Sequence, residues 1–386
     1  MRIFFSAGEP SGDLHGANLI GALRRHSPGL ECVGFGGEHM EAAGCSLLFP
    51  LAHLSAMFII PVLVTAHKFL KLLLQADRYF QKERPDAVVL IDYPGFHWWL
   101  ARRARARGIP VFYFVPPQLW AWAGWRVNKM RRYVDHVLCS LPFEEAWYKA
   151  RGVQAHYLGH PYFDELPRQQ LDENFIERQR ARGGRIIGLL PGSRTQELKH
   201  NLATLMRAAA LIHIKLPESR FLVACYRDMH RAQVEAYLAG HPLPFVETWT
   251  GRTAEIIHLS EACISVSGSV SLELLYRRKP AVVVYRVNAL VRKLARSFLK
   301  IPHISLVNLL AGKELFPEFF TDQCEAQAIG ERVLRWLTNR SEYQQIMGEL
   351  DGLAGKVAES GACERTARYI LAALEGEQVV QASRAA

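Results

Sequence analysis

The amino-acid sequence predicts an α/β protein made of two Rossmann-like, doubly wound domains that face a cleft. Three observations lead to this fold class. Short apolar runs alternate with helical segments along most of the chain, which is the pattern of parallel βαβ units. In each half, an apolar run breaks at a turn rich in glycine and serine and a helix follows, as at 2–14 and 186–198. The 386 residues suffice for two domains with separate cores.

The composition narrows the class of protein further. Hydrophobic residues make up 49% and charged residues 22% of the chain, which is ordinary for a soluble globular protein. The formal net charge of +10 favours anionic partners, such as nucleic acid, a phosphorylated substrate or an anionic membrane surface. The seven cysteines are dispersed without a C-x-x-C pair, so we expect a reduced cytosolic protein without disulfides or zinc. The first strand begins at Arg2, so no signal peptide is expected.

The turn after the apolar run 186–190 has the residues of an anion site. Pro191-Gly192-Ser193 breaks the run, and a helix begins near Thr195. The first N–H groups and the positive dipole end of a helix can hold an anion, and the guanidinium of Arg194 suits phosphate. Taken alone, this stretch is as typical of an ordinary strand-to-helix turn with a surface arginine.

A second turn of the same kind, Ser267-Gly268-Ser269, follows the apolar run 262–266. Glu273 lies one helical turn further on, where it can accept hydrogen bonds from a ribose. Two such turns in one half favour binding of a nucleoside diphosphate over the ordinary-turn interpretation. The predicted nucleotide-binding residues are Gly192, Ser193, Arg194, Ser267, Gly268, Ser269 and Glu273.

Carboxylates mark the corresponding places in the first half. Glu9 and Asp13 stand in the turn before the first helix, where they would repel phosphate, so this turn is expected to face sugar hydroxyls. Asp13 could instead cap the helix. Asp92 follows the buried strand 87–91, and sites in open α/β sheets lie outside the carboxyl ends of strands. The alternative for Asp92 is an Asx turn before Pro94.

Two further stretches indicate a surface for an anionic partner. Five of the eight tryptophans fall between Trp98 and Trp125, and basic residues follow closely. That combination is typical of nucleic-acid stacking and equally of an interface with anionic lipid.

Residues 54–74 join an apolar run, too short to span a bilayer, to a basic amphipathic helix. They are either a core helix or an apolar lip that enters a membrane surface.

The chain resembles the lipid A disaccharide synthase family over nearly its full length. The matching stretches are short, but their order and spacing together are specific. They are Gly8-Glu9-Pro10-Ser11-Gly12-Asp13, Ile91-Asp92-Tyr93-Pro94-Gly95-Phe96, Trp120-Ala121-Trp122 with Arg126-Val127, Leu141-Pro142-Phe143-Glu144, Gly159-His160-Pro161, Leu190-Pro191-Gly192-Ser193-Arg194, Ser267-Gly268-Ser269 with Glu273, and Asn308-Leu309-Leu310-Ala311-Gly312.

The resemblance implies a GT-B-type fold with its active site in the cleft and with no metal or cofactor. It implies an inverting transferase with UDP-2,3-diacylglucosamine as donor and 2,3-diacylglucosamine 1-phosphate (lipid X) as acceptor. The products are UDP and a β-1′,6-linked disaccharide of lipid A biosynthesis. Such a protein is cytoplasmic and peripheral on the inner face of the cytoplasmic membrane, and nucleic acid is not among its partners. Family members form homodimers that exchange C-terminal elements.

The resemblance also assigns domains and roles. An acceptor and membrane-facing domain is expected over 1–168, a UDP-sugar donor domain over 169–357, and a C-terminal helix and tail over 358–386 that cross back to the first domain. Independently of the resemblance, the stretch 164–184 is polar, charged and ends in glycine, so it is expected to link the two halves. Catalysis is assigned to Asp92 as general base, to Arg194 as stabiliser of the departing UDP, and to Glu9. Acceptor binding is assigned to Ser11, Gly12, Asp13, Trp120 and Arg126, and Asn308 is expected to line the donor site.

The sequence departs from the family pattern at Phe58 and Pro61, which replace a glycine and an acidic residue, and at His97, Pro116 and Thr321, which replace Asn, Ser and Gln. Two other functions compete with the family reading. One is transfer of N-acetylglucosamine from a UDP-sugar to a lipid-linked peptidoglycan precursor. The transferase that catalyses that reaction has a glycine-rich first loop, however, and the turn 6–13 contains fewer glycines. The other is a non-catalytic basic protein that binds RNA or a membrane, which leaves the two anion-binding turns unexplained.

Overall fold

The computed structural model describes residues 1–53, 62–266, 268–289, 292–293 and 301–385, with side chains described outside 62–66 and 377–385. The chain divides into two compact units. Unit 1 comprises Met1–Asp164 with Glu359–Ala386, and unit 2 comprises Glu165–Ala358.

Thirteen strands lie within the described residues. They are β1 (Arg2–Ala7), β2 (Glu31–Phe35), β3 (Cys45–Phe49), β4 (Ala87–Ile91), β5 (Val111–Phe114), β6 (His136–Cys139), β7 (Ala155–Tyr157), β8 (Arg185–Leu190), β9 (Ser219–Cys225), β10 (Val246–Thr250), β11 (Ala262–Val266), β12 (Ala281–Arg286) and β13 (Glu318–Thr321).

The α-helices of the same residues connect these strands. They are α1 (Pro10–His26), α2 (Glu38–Ala42), α3 (Val62–Glu83), α4 (Pro94–Ala106), α5 (Leu119–Trp122), α6 (Val127–Tyr133), α7 (Pro142–Lys149), α8 (Tyr162–Glu165), α9 (Glu173–Ala181), α10 (Thr195–Lys215), α11 (Asp228–Gly240), α12 (Thr253–Leu259), α13 (Val270–Tyr276), α14 (Leu306–Ala311), α15 (Ala326–Thr338), α16 (Arg340–Val357) and α17 (Ala362–Ala385). Short 3₁₀ turns span Gly124–Arg126 and Leu166–Arg168.

Each unit contains one wholly parallel sheet. The order is β3-β2-β1-β4-β5-β6-β7 in unit 1 and β10-β9-β8-β11-β12-β13 in unit 2. The strand order reverses between β1 and β4 in the first sheet and between β8 and β11 in the second. Ligands of open α/β sheets bind at such reversals, outside the carboxyl ends of the strands. The two reversals therefore mark where each unit is expected to bind.

The central strands are mostly apolar because helices cover both faces of a parallel sheet. Every residue of β4 is buried, and so is every residue of β11. This explains why these strands read in the sequence as continuous apolar runs. The edge strands β3 and β7 are short and partly exposed, so they do not form the long buried runs by which the central strands are recognised.

The C-terminal helix α17 belongs to unit 1. The Asp164 carboxylate accepts the backbone N–H groups of Gly361 (2.5 Å), Ala362 (3.0 Å) and Cys363 (2.7 Å), and these are the first donors of the helix. A carboxylate at this position accepts hydrogen bonds from N–H groups that lack partners within the helix. Its negative charge also interacts favourably with the positive end of the helix dipole. Further along, Ala367, Ile370 and Leu374 join the apolar core that α1 also lines.

The polar stretch that was expected to be a linker is partly helical. It contains α9, whose first turn is capped by Asp172 through a 2.9 Å hydrogen bond from the N–H of Phe175. Phe175 and Ile176 are buried in the core of unit 2. The polarity of the stretch reflects the exposed face of this helix, so reading the whole stretch as a linker was wrong.

Candidate active site

The strand reversal of unit 1 brings the predicted catalytic carboxylates to one edge of the sheet. Ala7 of β1 lies opposite Ile91 of β4 in parallel register. The turn that carries Glu9 and the strand end that carries Asp92 are therefore neighbours. Charge on Glu9 raises the pKa of the Asp92 carboxyl, which agrees with this proximity.

The backbone at Asp92 is strained. Asp92 has φ of 48° and Tyr93 has φ of 49°, so two successive non-glycine residues adopt the left-handed conformation. Each such residue costs on the order of 1–3 kcal/mol, and such strain clusters at functional sites. The Tyr93 ring covers Gly8, because a Cβ on that glycine would lie 2.2 Å from Cδ1 of Tyr93. The turn after β1 thus requires glycine where the turn after β4 presses against it.

Two side chains hold the main-chain carbonyl of Asp92. His97 Nδ1 lies 2.6 Å from this oxygen, and the Tyr113 hydroxyl donates to it at 2.7 Å. His97 Nε2 lies 2.9 Å from the Ser6 hydroxyl oxygen. A carbonyl can only accept, so Nδ1 carries the proton and Nε2 accepts from Ser6. Complete burial lowers the pKa of His97 to about 3, which keeps the ring neutral.

The Asp92 carboxyl has the acidity of a base that works near neutral pH. Burial is the main cause that raises its pKa to about 6, and the charge of Glu9 adds to the effect. The N–H of Tyr93 and the nearby His15 lower the same pKa. A carboxylate with a raised pKa at a strand end can take a proton from a hydroxyl near pH 7.

The other residues predicted for this turn differ in their surroundings. Ser11 is exposed, and Gly12 is buried beneath Ala7 and Ile91. The Asp13 carboxylate is buried and accepts the N–H groups of Gly37 (2.6 Å), His39 (3.0 Å) and Met40 (3.2 Å). Asp13 therefore caps α2 rather than its own helix, and its acceptor oxygens are engaged within the unit.

Histidines that the sequence analysis did not select complete this edge of unit 1. The rings of His15 and His160 meet edge to face with centroids 6.0 Å apart. Burial lowers the pKa of His160 to about 3, and its Nδ1 accepts the N–H of Tyr162 at 3.2 Å. Gly159-His160-Pro161 is one of the stretches that match the family pattern, so the sequence contained a signal for His160. Nothing in the local pattern singled out His15.

The predicted acceptor residues Trp120 and Arg126 lie in different settings. The Trp120 indole N–H donates to the buried Glu144 carboxylate at 3.0 Å, and burial raises the pKa of that carboxyl to about 7. The Arg126 guanidinium lies 4.9 Å from the ring centroid of Trp122 and 5.2 Å from that of Trp125. These two tryptophans are 56% and 67% exposed, so an aromatic and cationic surface faces solvent.

Apolar residues of α3 and α4 are also exposed. They are Leu70, Leu74 and Trp99. Residues 54–61 of the predicted apolar lip, including the departures Phe58 and Pro61, lie outside the described residues. None of the helices in the described parts of the chain is long and apolar enough to cross a membrane.

The strand reversal of unit 2 joins the two predicted anion-binding turns. Ser265 of β11 lies opposite Leu190 of β8, so the turns that follow these strands are neighbours. Gly192 has φ of 99°, and a Cβ there would lie 2.5 Å from the Glu197 carboxylate, so both the backbone and the space require glycine. Ser193 and Arg194 are exposed just before α10.

The second turn is described in part. Ser267 lies outside the described residues, whereas Gly268 and Ser269 are exposed just before α13. The buried Glu273 side chain accepts a hydrogen bond from Arg277 Nε at 2.9 Å, and Arg277 also donates to Gln169 at 2.7 Å. The carboxylate predicted to hold a ribose is thus oriented by a neighbouring guanidinium.

Asn308 serves the structure of unit 2. Its side chain is completely buried and donates to the Phe316 carbonyl (2.7 Å) and the Glu318 carboxylate (2.8 Å). Its amide oxygen accepts the N–H groups of Leu315 and Phe316, each at 2.8 Å. Both donors and the oxygen are engaged within the unit, so Asn308 clamps the segment before β13.

Metal-ligand geometry is absent from the described side chains. No group of three or more His, Cys, Asp or Glu residues there could hold a metal ion. The turn 191–194 carries one positive charge, that of the exposed Arg194 side chain.

Solved structures match the fold of this chain over nearly its full length. The structure of UDP-GlcNAc 2-epimerase from Neisseria meningitidis bound to UDP-GlcNAc matches with a TM-score of 0.65 at 12% identity, covering 97% of this chain and 100% of that one. CalG4, the calicheamicin glycosyltransferase, matches with a TM-score of 0.61 at 15% identity, covering 97% and 98%. The chain therefore has the fold of GT-B glycosyltransferases and related epimerases, as predicted.

Sequence relatives identify the family within this fold. The model of the lipid-A-disaccharide synthetase family matches residues 3–370. The lipid-A-disaccharide synthase of Anaeromyxobacter dehalogenans (strain 2CP-C) is 36% identical over 371 residues, which cover 96% of this chain and 97% of that protein. The chain belongs to the lipid-A-disaccharide synthetase family. The resemblance is thereby confirmed, and so is the predicted function as a glycosyltransferase of lipid A biosynthesis.

Proposed function

We propose that this protein transfers 2,3-diacylglucosamine from UDP-2,3-diacylglucosamine to a hydroxyl of lipid X, with inversion at the anomeric carbon. The acceptor oxygen forms the new glycosidic bond, the bond from the anomeric carbon to the diphosphate breaks, and UDP leaves with the bonding electron pair. The acceptor proton passes to a base of the protein. The observation that carries the proposal is the half-buried Asp92 carboxyl at the strand reversal of unit 1, whose pKa is raised to about 6.

Asp92 is the proposed general base. Its partly desolvated carboxylate stays ionised at neutral pH, yet it is basic enough to accept the proton of an attacking hydroxyl. Glu9 and Ser11 are proposed to hold the acceptor sugar through its hydroxyls. Gly12 and Asp13 are proposed to support this turn, because the Asp13 oxygens already accept three backbone N–H groups.

The leaving diphosphate is proposed to lie against the exposed turn 191–194. Arg194 and the first N–H groups of α10 would stabilise the charge that grows on UDP as the bond breaks. Ser267, Gly268 and Ser269 are proposed to add donors from the neighbouring turn, and Glu273 to bind the ribose. Asn308 is proposed to shape this unit from within rather than to touch the nucleotide.

Peripheral attachment to the cytoplasmic face of the membrane is proposed for unit 1. The exposed apolar Leu70, Leu74 and Trp99 and the Trp122–Arg126–Trp125 group would suit the boundary between acyl chains and anionic headgroups. Trp120 and Arg126 are proposed to contact the acceptor there. The proposed oligomer is a homodimer that exchanges C-terminal elements, in which case α17 would dock on the partner's unit 1.

The deciding experiment measures UDP release from UDP-2,3-diacylglucosamine with and without lipid X. Release that requires lipid X, and a product with a β-1′,6 linkage, are expected. UDP-N-acetylglucosamine and a lipid-linked peptidoglycan precursor serve as the competing donor and acceptor, and turnover with that pair alone would refute the proposal.

Turnover should persist in EDTA, since Arg194 and helix N–H groups are proposed in place of a metal. Loss in EDTA that magnesium restores would contradict that part.

The Asp92→Asn variant tests the base. Asn keeps the size of the side chain and suits a left-handed backbone, but it cannot accept the proton. Turnover is expected to fall by about 10²–10⁴-fold with UDP affinity unchanged. Turnover close to that of the wild type would assign Asp92 to the turn alone.

A further inference from the structure

The carbonyl of Asp92 receives two hydrogen bonds that no step of the transfer reaction uses. We propose that His97, together with Tyr113, is a positioning residue that fixes the backbone of Asp92 and thereby aims its carboxylate at the acceptor. The inference rests on the proposed role of Asp92 as general base.

The need for such support follows from the conformation of the backbone. Asp92 and Tyr93 are both left-handed, which non-glycine residues adopt reluctantly. Rotation of the peptide between them would relieve the strain at Tyr93 and would loosen the turn from which the Asp92 side chain projects. Because His97 in α4 and Tyr113 in β5 bond the same oxygen at 2.6 and 2.7 Å, that rotation would break both hydrogen bonds.

Ser6 makes the His97 contact specific to one tautomer. The hydroxyl of Ser6 lies 2.9 Å from Nε2 and donates to it, so the ring proton must lie on Nδ1, facing Asp92. The His97 ring is also held by edge-to-face contacts with Tyr93 (5.8 Å between centroids) and Tyr113 (6.1 Å). The network therefore ties β1, β4, α4 and β5 to the conformation of a single residue.

Both donors keep their protons over the pH range in which an enzyme works. Burial lowers the pKa of His97 to about 3 and raises that of Tyr113. The groups that act on the Asp92 carboxyl are Glu9 from the β1 turn, His15 from α1 and the N–H of Tyr93. A change in the acid limb of the pH profile would thus report on Asp92 and these neighbours, not on protonation of the two donors.

Two amide substitutions separate the two nitrogens of His97. An asparagine amide can occupy the place of Nδ1, whereas a glutamine amide reaches the place of Nε2. His97→Gln is expected to lower kcat by about 10- to 100-fold with little change in KM, because the base is misplaced rather than removed. His97→Asn, which keeps a donor to the Asp92 carbonyl, is expected to lose less. His241→Gln, the same change at an exposed histidine of unit 2, is the matched control and should leave turnover unchanged.

Tyr113→Phe removes the second donor without touching His97, so it tests the idea if the His97 variants fold poorly. Both His97→Gln and Tyr113→Phe should shift the acid limb of kcat/KM to lower pH, because a released Asp92 becomes better hydrated and its pKa falls. UDP affinity should not change. A merely structural role would lower the melting temperature and leave the acid limb in place, and that result would overturn the inference. Equal losses in His97→Asn and His97→Gln would overturn it too.

Failure of this inference is distinguishable from failure of the proposed function. If wild-type protein releases UDP only with lipid X and Asp92→Asn is inactive, the proposed function stands. His97→Gln and Tyr113→Phe variants with wild-type kcat and pH profile would then refute the positioning role alone.

Discussion

Glu197 bonds Arg194 through both the backbone and the side chain. Its carboxylate accepts the N–H of Arg194 at 3.2 Å and the guanidinium Nη1 at 2.9 Å, and Arg194 lies three residues earlier, just before α10. The guanidinium nevertheless stays 73% exposed. The residue proposed to receive the leaving diphosphate is therefore held at the first turn of the helix by a carboxylate with which the diphosphate would compete.

Arg194→Ala is expected to reduce turnover by about 10²–10³-fold, which is the usual cost of removing a donor that stabilises developing negative charge. Arg194→Lys keeps the charge but loses the planar fork, so it should fall between the wild type and the alanine variant. The measurement is the steady-state rate, with circular dichroism to confirm folding. A folded Arg194→Ala protein with wild-type turnover would remove Arg194 from the leaving-group site.

Glu197→Gln should bind UDP more tightly than the wild type. Glutamine can still accept the Arg194 N–H and so cap the helix, but it no longer repels the diphosphate or holds the guanidinium by charge. Exposed ion pairs are worth about 0.2–1 kcal/mol, which corresponds to a gain of about 1.5- to 5-fold in affinity. Titration calorimetry with UDP at low and high salt would measure it. Weaker binding would mean that Glu197 assists the nucleotide instead of competing with it.

Two pH effects are expected from Asp92. Activity needs the ionised carboxyl, so kcat/KM should fall about tenfold per unit below the raised pKa of about 6. Stability changes in the opposite direction. A carboxyl whose pKa is raised on folding contributes stability that is present below its unfolded pKa and is lost as pH rises through about 6. The Asp92→Asn variant should therefore melt above the wild type at about pH 8, and the difference should shrink near pH 5. A difference independent of pH would contradict this.

Asn308→Asp tests whether this position supports the fold or binds the donor. The new carboxylate could not donate to the Phe316 carbonyl and would face Glu318, whose carboxylate lies 2.8 Å from the present amide nitrogen. We expect a loss of more than about 2 kcal/mol in unfolding free energy, because buried polar groups lose their partners. Ser193→Ala, on the exposed turn, is the control and should weaken UDP binding without changing stability. If the Asn308→Asp variant had wild-type stability but no longer bound UDP, Asn308 would instead be a residue of the donor site.

The sequence alone was enough to place Asp92 and Arg194 just beyond the carboxyl ends of two parallel strands. Apolar runs such as 87–91 and 186–190 have the length and composition that only a buried parallel strand needs, and the glycine turns after them mark strand ends. Since parallel strands end at one edge of a sheet, the positions of Asp92 and Arg194 followed from local pattern. The family followed in the same way, from the order and spacing of short motifs.

Only the tertiary structure decided what each polar side chain bonds. Asp13 and Asn308 look like ligands for a sugar or a nucleotide in the sequence, yet their partners lie on α2 and on the segment before β13. His97 and Tyr113 meet at the Asp92 carbonyl from two elements, and His15 meets His160 across 145 positions of the chain. Periodicity and turn chemistry are local, and they determine where strands and helices begin and end. Hydrogen-bond partners and burial depend on residues brought together by packing, so pairing and pKa could be assigned only in the folded chain.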